Sequence, residues 1–182
     1  MISCVRLVDL RPVARNLLSK QCFAVRSCAP GGVLIHFDDS SEDHWAVEWF
    51  SDPACKVSYN RLYLRDGTIV QITPSMSSCA WHAGVCLTKN ANSYYYGLSA
   101  ATNNKVPVDA KQLDNMIADT VSIFKFHGWT AADVHARIKG HEEEACFANR
   151  KLGRKIDPTG THPEAPILSL PAFRQAVAER LA

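Results

Sequence analysis

The sequence predicts a single α/β (α+β) domain in which strands and helices alternate along the chain. Three observations support this prediction: apolar runs of strand length, a turn dipeptide between two alternating segments, and two longer segments with apolar residues at helical spacing. The chain has 182 residues, of which 47% are hydrophobic and 21% charged. This is an ordinary globular composition, and the length is enough for one domain with a substantial core.

The first part of the chain predicts one buried strand between two short helices. Near the N-terminus, "DLRPVARNLL" suggests a short helix. In residues 31–37, "GGVLIHF", a glycine pair precedes a continuous apolar run, which indicates a buried strand with His36 near its end. In residues 40–50, "SSEDHWAVEWF" suggests a short amphipathic helix capped by Ser40 or Ser41. Its apolar residues are Trp45, Val47, Trp49 and Phe50.

The middle of the chain predicts a hairpin and a second buried strand. In residues 57–73, alternating apolar residues flank Asp66 and Gly67, a dipeptide that favours tight hairpin turns. Residues 78–85 and 89–97 are typical of loops joined by short structure. The string "YYYGLSAAT", which begins at Tyr94, then predicts another buried strand.

The last third of the chain predicts three helices. Residues 110–127 place Leu113, Met116 and Phe124 at helical spacing, and the helix is expected to end before Gly128. "AADVHARI" suggests a short helix with a loop after it. Residues 169–181 predict a closing amphipathic helix with Pro171 in its first turn and with Phe173, Val177 and Leu181 on its apolar face.

Charge and cysteine usage exclude several classes of protein. A net charge of +2 is too small for the basic stripe of a nucleic-acid-binding protein. The seven cysteines are odd in number and irregularly spaced, which disfavours a disulfide framework and a paired-cysteine zinc finger. The first 25 residues lack the unbroken apolar stretch that is typical of a signal peptide, and no window of the sequence is apolar enough to suggest a membrane span. We therefore expect a protein that folds in the cytoplasm and acts elsewhere only after release by another route.

Three residues are candidates for a metal site. His36 ends an apolar strand, His141 follows Gly140, whose flexibility allows a sharp turn, and Asp157 precedes Pro158, which restricts its backbone. Two imidazoles and one carboxylate suit a catalytic zinc ion that keeps one open position. Spacing does not decide between this site and an ordinary alternative, in which the histidines are structural and residues 140–160 form a solvated charged loop.

Five strings between residues 33 and 160 carry a resemblance to a known family. They are, in order, "VLIHF", "YNRLYLRDGTIVQI", "CAWHAGV", "YGLSAATNN" and "GHEEEA…GRKIDPTG". Together they resemble the zinc-dependent N-acetylmuramoyl-L-alanine amidases, which include phage lysozyme-type amidases and peptidoglycan recognition proteins. The resemblance implies one amidase domain with a central mixed β-sheet flanked by helices and zinc in a surface cleft. It places the zinc ligands at His36, His141 and Asp157.

The resemblance also implies a reaction and further site residues. The reaction is hydrolysis of the amide between the lactyl group of N-acetylmuramic acid and the L-alanine of the stem peptide. Lys155 is expected to stabilise charge on the amide oxygen, and Tyr59 to hydrogen-bond the reacting groups. A groove of Trp81, His82 and Asn103, with Asn104 beside it, is expected to bind peptidoglycan or a muropeptide. The ordinary alternatives are an exposed lysine, a half-buried strand tyrosine and loop packing.

The sequence departs from the family pattern in three places, one of which is Phe37, which follows His36 where members often carry a second histidine or a tyrosine. Many members carry a glutamate, thought to act as the general base, where this chain has Ser99. The identity of the base is therefore in doubt, and weight shifts to Tyr59 and Lys155. The loop over residues 142–154 is longer than the family pattern, and it suits either a lid beside the cleft or a solvated face.

Several functions remain open on the sequence alone. The first is a monomeric phage-type endolysin that degrades the bacterial cell wall after release. The same site suits a cytoplasmic wall-recycling amidase or an exported effector. A second class is a muropeptide-binding module without catalysis. A third is a cysteine–histidine hydrolase that uses Cys79 or Cys146.

Overall fold

The computed structural model describes residues 15–16, 23–85, 89–144, 155–161 and 165–182. The strands of its main sheet are β1 (Arg15–Asn16), β3 (Gly32–Phe37), β4 (Arg61–Tyr63), β5 (Ile69–Gln71), β7 (Tyr95–Ala100) and β8 (Ile138–Gly140). Their order is β1-β5-β4-β7-β3-β8. Only β4 and β5 pair antiparallel, so the sheet is mixed. Strands β2 (Phe23–Val25) and β6 (Ser78–Ala80) form a separate antiparallel pair.

Five α-helices accompany the sheet in the described part of the chain. They are α1 (Asp43–Ser51), α2 (Ala91–Tyr94), α3 (Ala110–His127), α4 (Val134–Arg137) and α5 (Leu170–Leu181). Helix α3 confirms its prediction, because Asp109 forms a capping box at its start and Gly128 ends it with a φ of 67°. Among the described residues, no helix has the length and apolar character that crossing a bilayer requires.

Two apolar clusters cover opposite faces of the sheet. Neighbouring strand residues alternate between them, so that Tyr63 belongs to the cluster with α3 and α5 while Leu62 belongs to the cluster with α1. The first cluster also contains Phe124 of α3 and Phe173 of α5, and the second contains Phe50 of α1. The predicted single α/β domain with a central mixed sheet flanked by helices is therefore confirmed.

A buried ion pair fastens the sheet to α3. Arg61 of β4 places Nη1 2.6 Å from Oδ2 of Asp119, and the Tyr63 hydroxyl donates to the same oxygen at 2.7 Å. Asp119 is fully buried. Buried charges are tolerated when they are paired and hydrogen-bonded in this way.

Three local predictions differ from the structure. Helix α1 buries Ala46 and Phe50, whereas Trp45 and Trp49 are 54% and 48% exposed. It starts after Glu42 and not after a serine cap, and the backbone N–H and hydroxyl of Ser40 donate to the Asp38 carboxylate. Residues 15–16 form a strand, and the rest of the helix predicted there lies outside the described residues.

Strand β8 was missed in the sequence. Residues 138–140 read "IKG", too short for a periodic pattern, and they follow directly on the helical residues of α4. Pairing with β3, more than a hundred residues earlier, makes this segment a strand. The predicted strand β3, the hairpin of β4 and β5, strand β7 and helix α5 all agree with the structure.

Candidate functional site

Two adjacent parallel strands bring the histidines to the same end of the sheet. Ile35 of β3 lies opposite Gly140 of β8, so the residues that follow them, His36 and His141, are neighbours. Both side chains are buried, and their ring centroids are 4.6 Å apart. The carboxyl ends of parallel strands are where open α/β sheets usually place their sites.

Gly140 allows the segment that contains Asp157 to approach β8 closely. A Cβ atom on Gly140 would lie 2.7 Å from Cδ of Pro158, which is too close for any other residue. The backbone N–H of Glu142 donates to the carbonyl of Asp157 at 2.9 Å and holds the two segments together. Gly140 itself has an extended backbone, with φ −84° and ψ 154°. The glycine therefore provides space, and the chain turns just after it, in a 3-10 helix over His141–Glu143 that keeps the His141 side chain buried.

The three candidate ligands converge in the structure. Nδ1 of His36 lies 2.8 Å from Oδ2 of Asp157, and Nδ1 of His141 lies 3.2 Å from the same oxygen. One ligand atom from each residue lies within 4.8 Å of the other two. Neighbouring ligands of a tetrahedral zinc ion, bound at about 2.0 Å, are roughly 3.3 Å apart. The donor set and its spacing therefore fit zinc after small adjustments.

The protonation of these residues also suits a cation. Burial lowers the pKa of His36 to about 4, although its hydrogen bond to Asp157 opposes the shift. Burial alone would raise the pKa of Asp157, but hydrogen bonds from His141 and His36 hold it well below the ordinary value. At neutral pH, His36 is thus a neutral imidazole and Asp157 a carboxylate, which are the protonation states that metal binding requires.

Two of the candidate ligands, His141 and Asp157, line a cleft of about 720 Å³ that is open to the surface, and His36 is buried beside them. Lys155 and Trp81 line its walls, and the Trp81 side chain is 40% exposed. The positive charge of Lys155 is one of the causes that lower the pKa of His36, so this charge acts on the ligand group. Asn104 also lines the cleft, whereas the predicted Asn103 does not and accepts a hydrogen bond from the Lys105 N–H.

Tyr59 lies beside the first histidine. Its ring centroid is 5.0 Å from that of His36 and 5.5 Å from that of Phe50. Burial, followed by the negative charge of Asp157, raises the pKa of Tyr59 well above its ordinary value. Its hydroxyl hydrogen-bonds Ser99, which faces His36 across the pair β3 and β7. Tyr59 therefore remains protonated at neutral pH and is available as a hydrogen-bond donor.

His82 lines the cleft and also contacts a candidate ligand. Its Nδ1 lies 2.9 Å from Nε2 of His36, with the two rings edge to face at 84°. Burial, with the neighbouring His36 and His141, lowers the pKa of His82 well below its ordinary value. Asn92 and Gly97 hold His82 in place. The sequence did not predict these roles of Asn92 and Gly97, because no local pattern identifies an asparagine or a glycine that supports another side chain.

Asp38 is a second feature of the cleft that the sequence did not reveal. Its carboxylate accepts hydrogen bonds from the N–H and hydroxyl of Ser40 and from the N–H of Thr102, at 3.2, 2.7 and 3.0 Å. Burial raises the pKa of Asp38 to about 6. The next residue, Asp39, has a φ of 68° and also lines the cleft.

Cys79, the candidate nucleophile among the described residues, gives little support to thiol catalysis. Cys79 is buried on β6, its Sγ lies 3.5 Å from the Ser93 hydroxyl, and it does not line the cleft. Cys146 and most of the long loop over 142–154 lie outside the described residues.

Comparisons with known proteins agree on one family. The sequence profile described as N-acetylmuramoyl-L-alanine amidase matches residues 27–160. A selenomethionine derivative of AmpD is 22% identical, with a TM-score of 0.70 over 92% of this chain and 96% of its own. The Staphylococcus aureus hydrolase AmiA, in complex with its ligand, is 14% identical, with a TM-score of 0.67 over 94% and 84%. A mutant endolysin from Bacillus subtilis is 14% identical, with a TM-score of 0.61 over 93% and 96%. These identities show a common fold, and no curated protein matches the chain in sequence.

Proposed function

The chain belongs to the N-acetylmuramoyl-L-alanine amidase family, and on this premise we propose that it is a zinc-dependent hydrolase of the bacterial cell wall. The bond cleaved is the amide between the lactyl group of N-acetylmuramic acid and the L-alanine of the stem peptide. One observation carries the proposal: His36, His141 and Asp157 converge at an open cleft, which His141 and Asp157 line. This arrangement suits a metal-assisted hydrolase.

The metal would be held by Nδ1 of His36, Nδ1 of His141 and a carboxylate oxygen of Asp157. When bound, zinc supplies a Lewis acid for the amide carbonyl and lowers the pKa of a hydrolytic water. The structure supports this role because the three donors are buried and close together, and because His36 and Asp157 are in their unprotonated forms at neutral pH.

Lys155 and Tyr59 are the residues that we assign to the developing charge. The ammonium of Lys155 is on the cleft wall, where it can balance negative charge on the amide oxygen. Tyr59 keeps its proton, so it donates a hydrogen bond to the reacting groups and is a poor general base. We therefore propose that Tyr59 acts as a hydrogen-bond donor and does not replace the missing glutamate as the general base.

Trp81 is the residue that we assign to the glycan or lactyl part of the substrate. Its indole is partly exposed on the cleft wall, where an aromatic face packs well on an apolar sugar surface. Asn104 lines the same cleft where Asn103 was expected, and both of its amide atoms are hydrogen-bonded to Thr161, so we assign it to the cleft wall. We propose that the enzyme acts as a monomer on the polymeric wall, as a phage-type endolysin does, and the open cleft supports a long substrate.

Product analysis on purified sacculi tests this function. We expect released peptides with free N-terminal L-alanine, no new reducing sugar ends, and loss of release after chelation that zinc restores. New reducing ends would identify a glycosidase, and zinc binding without peptide release would identify a binding module. If peptides are released from soluble muropeptides but not from sacculi, the enzyme recycles wall fragments and does not lyse the wall.

A further inference from the structure

One cleft-lining side chain makes a contact that the amide-cleaving site does not explain. Nδ1 of His82 lies 2.9 Å from Nε2 of His36, on the opposite side of the His36 ring from Asp157. Only 6% of His82 is exposed, against 40% of the adjacent Trp81. A side chain this buried, with one ring nitrogen turned to a ligand, has little surface left for a substrate.

Metal binding determines where the proton of His36 must be. Nδ1 of His36 faces Asp157, and it can give a lone pair to a metal only when it carries no proton. A neutral imidazole has one N–H, which must then be on Nε2. In the metal-bound state this N–H would point at Nδ1 of His82, 2.9 Å away, which would accept it. Metal-binding histidines usually donate their second N–H to a carboxylate, carbonyl or water, and here the acceptor is another imidazole.

Asn92 and Gly97 fix the position of His82, the proposed acceptor. The side-chain oxygen of Asn92 accepts three successive backbone N–H groups, those of His82, Ala83 and Gly84, at 2.9, 2.8 and 2.8 Å. On the other side the ring rests on Gly97 of β7, where a Cβ atom would lie only 2.7 Å from Cγ of His82. Both backbone and ring are thus fixed, as an orienting residue requires.

We propose that His82 is a positioning residue, which fixes His36 in the tautomer that binds the metal, and that it is not a substrate-binding residue. The inference rests on the proposed zinc site. It assigns adjacent residues of the string "AWHAG" to different tasks, with Trp81 contacting substrate and His82 acting through His36.

Zinc affinity separates the two roles. We would measure the zinc dissociation constant by chelator competition, and KM on a soluble muropeptide at saturating zinc, for the wild type, His82→Ala, His82→Asn and Trp81→Ala. Loss of an orienting partner typically weakens metal binding by about 10- to 100-fold, which we expect for His82→Ala with little change in KM. His82→Asn retains an acceptor close to the Nδ1 position and should recover most of the affinity. Trp81→Ala should raise KM and leave zinc affinity unchanged.

Each result has a distinct meaning. Wild-type zinc affinity in His82→Ala, together with a raised KM, would overturn the inference and restore His82 to the substrate groove. Equal weakening in His82→Ala and a folded His82→Asn would also overturn it, because the acceptor would not be the cause. If His82→Ala does not fold, Gly97→Ala, which displaces the same ring, takes its place in the comparison with His82→Asn. A wild-type protein that binds no zinc would defeat the proposed function itself, which is a separate outcome.

Discussion

Replacing Gly97 with alanine should weaken zinc binding without touching any candidate ligand. The new Cβ atom would lie 2.7 Å from Cγ, 2.8 Å from Cδ2 and 3.0 Å from Nδ1 of His82. Carbon atoms in contact prefer about 3.5–4.0 Å, so the ring must move by roughly 1 Å. A hydrogen bond of 2.9 Å to His36 is lost after such a movement, since bonds beyond about 3.5 Å contribute little.

The magnitude follows from the role assigned to His82. Loss of an orienting hydrogen bond lowers metal affinity by about 10- to 100-fold, which corresponds to roughly 1.4–2.7 kcal/mol. The assay is chelator competition on the wild type, Gly97→Ala, His82→Ala and the double variant. In the double variant the methyl group introduced at position 97 enters space that the imidazole has left. Its zinc affinity should therefore equal that of His82→Ala, and the two single effects should not add.

Two results would refute this reasoning. One is wild-type zinc affinity in Gly97→Ala. The other is an equal loss from the Gly97 substitution with and without His82, because the methyl group would then act by another route. Circular dichroism of the metal-free variants is the control for an intact fold.

Three further predictions concern stability and catalysis. Asp119→Ala should lower the free energy of unfolding in urea by about 3–5 kcal/mol, because the buried Arg61 loses this carboxylate; a loss under about 1 kcal/mol contradicts the ion pair. Lys155→Ala should lower kcat about 100-fold with unchanged zinc affinity, and an unaltered kcat would remove Lys155 from the reaction. Asp38 has its pKa raised from 3.8 to about 6 in the folded state, so its contribution to stability is present below about pH 4 and is lost as the pH rises through 6. The unfolding free energy of the wild type relative to Asp38→Asn should therefore fall by up to about 3 kcal/mol between pH 4 and 7, and a constant difference would contradict this.

The sequence predicted those elements whose signals are local. Helix α3 combines helical periodicity with Asp109 and Gly128 at its ends, and the hairpin has its turn dipeptide. Strand β8 has three residues and no pattern of its own, so its pairing with β3 comes from the fold. The exposed Trp45 and Trp49 show the same limit, because apolar character alone does not say which face of a helix is buried.

The candidate site, too, was predictable only in part from the sequence. Chemistry and resemblance nominated His36, His141 and Asp157 together, and the structure brings them into reach of one ion. The bond from His36 to His82 depends on the packing of three separate segments, which no spacing along the chain records. A buried imidazole and a substrate imidazole look alike in the sequence "AWHAG".

The most direct measurement is an X-ray absorption spectrum at the zinc edge of protein loaded with one equivalent of zinc. We expect only nitrogen and oxygen neighbours at about 2.0–2.2 Å, with outer-shell scattering from two imidazoles. Substituting His36, His141 or Asp157 should remove stoichiometric binding. Sulfur in the coordination sphere, fewer than two imidazoles, or zinc retained after all three substitutions would contradict the proposed centre.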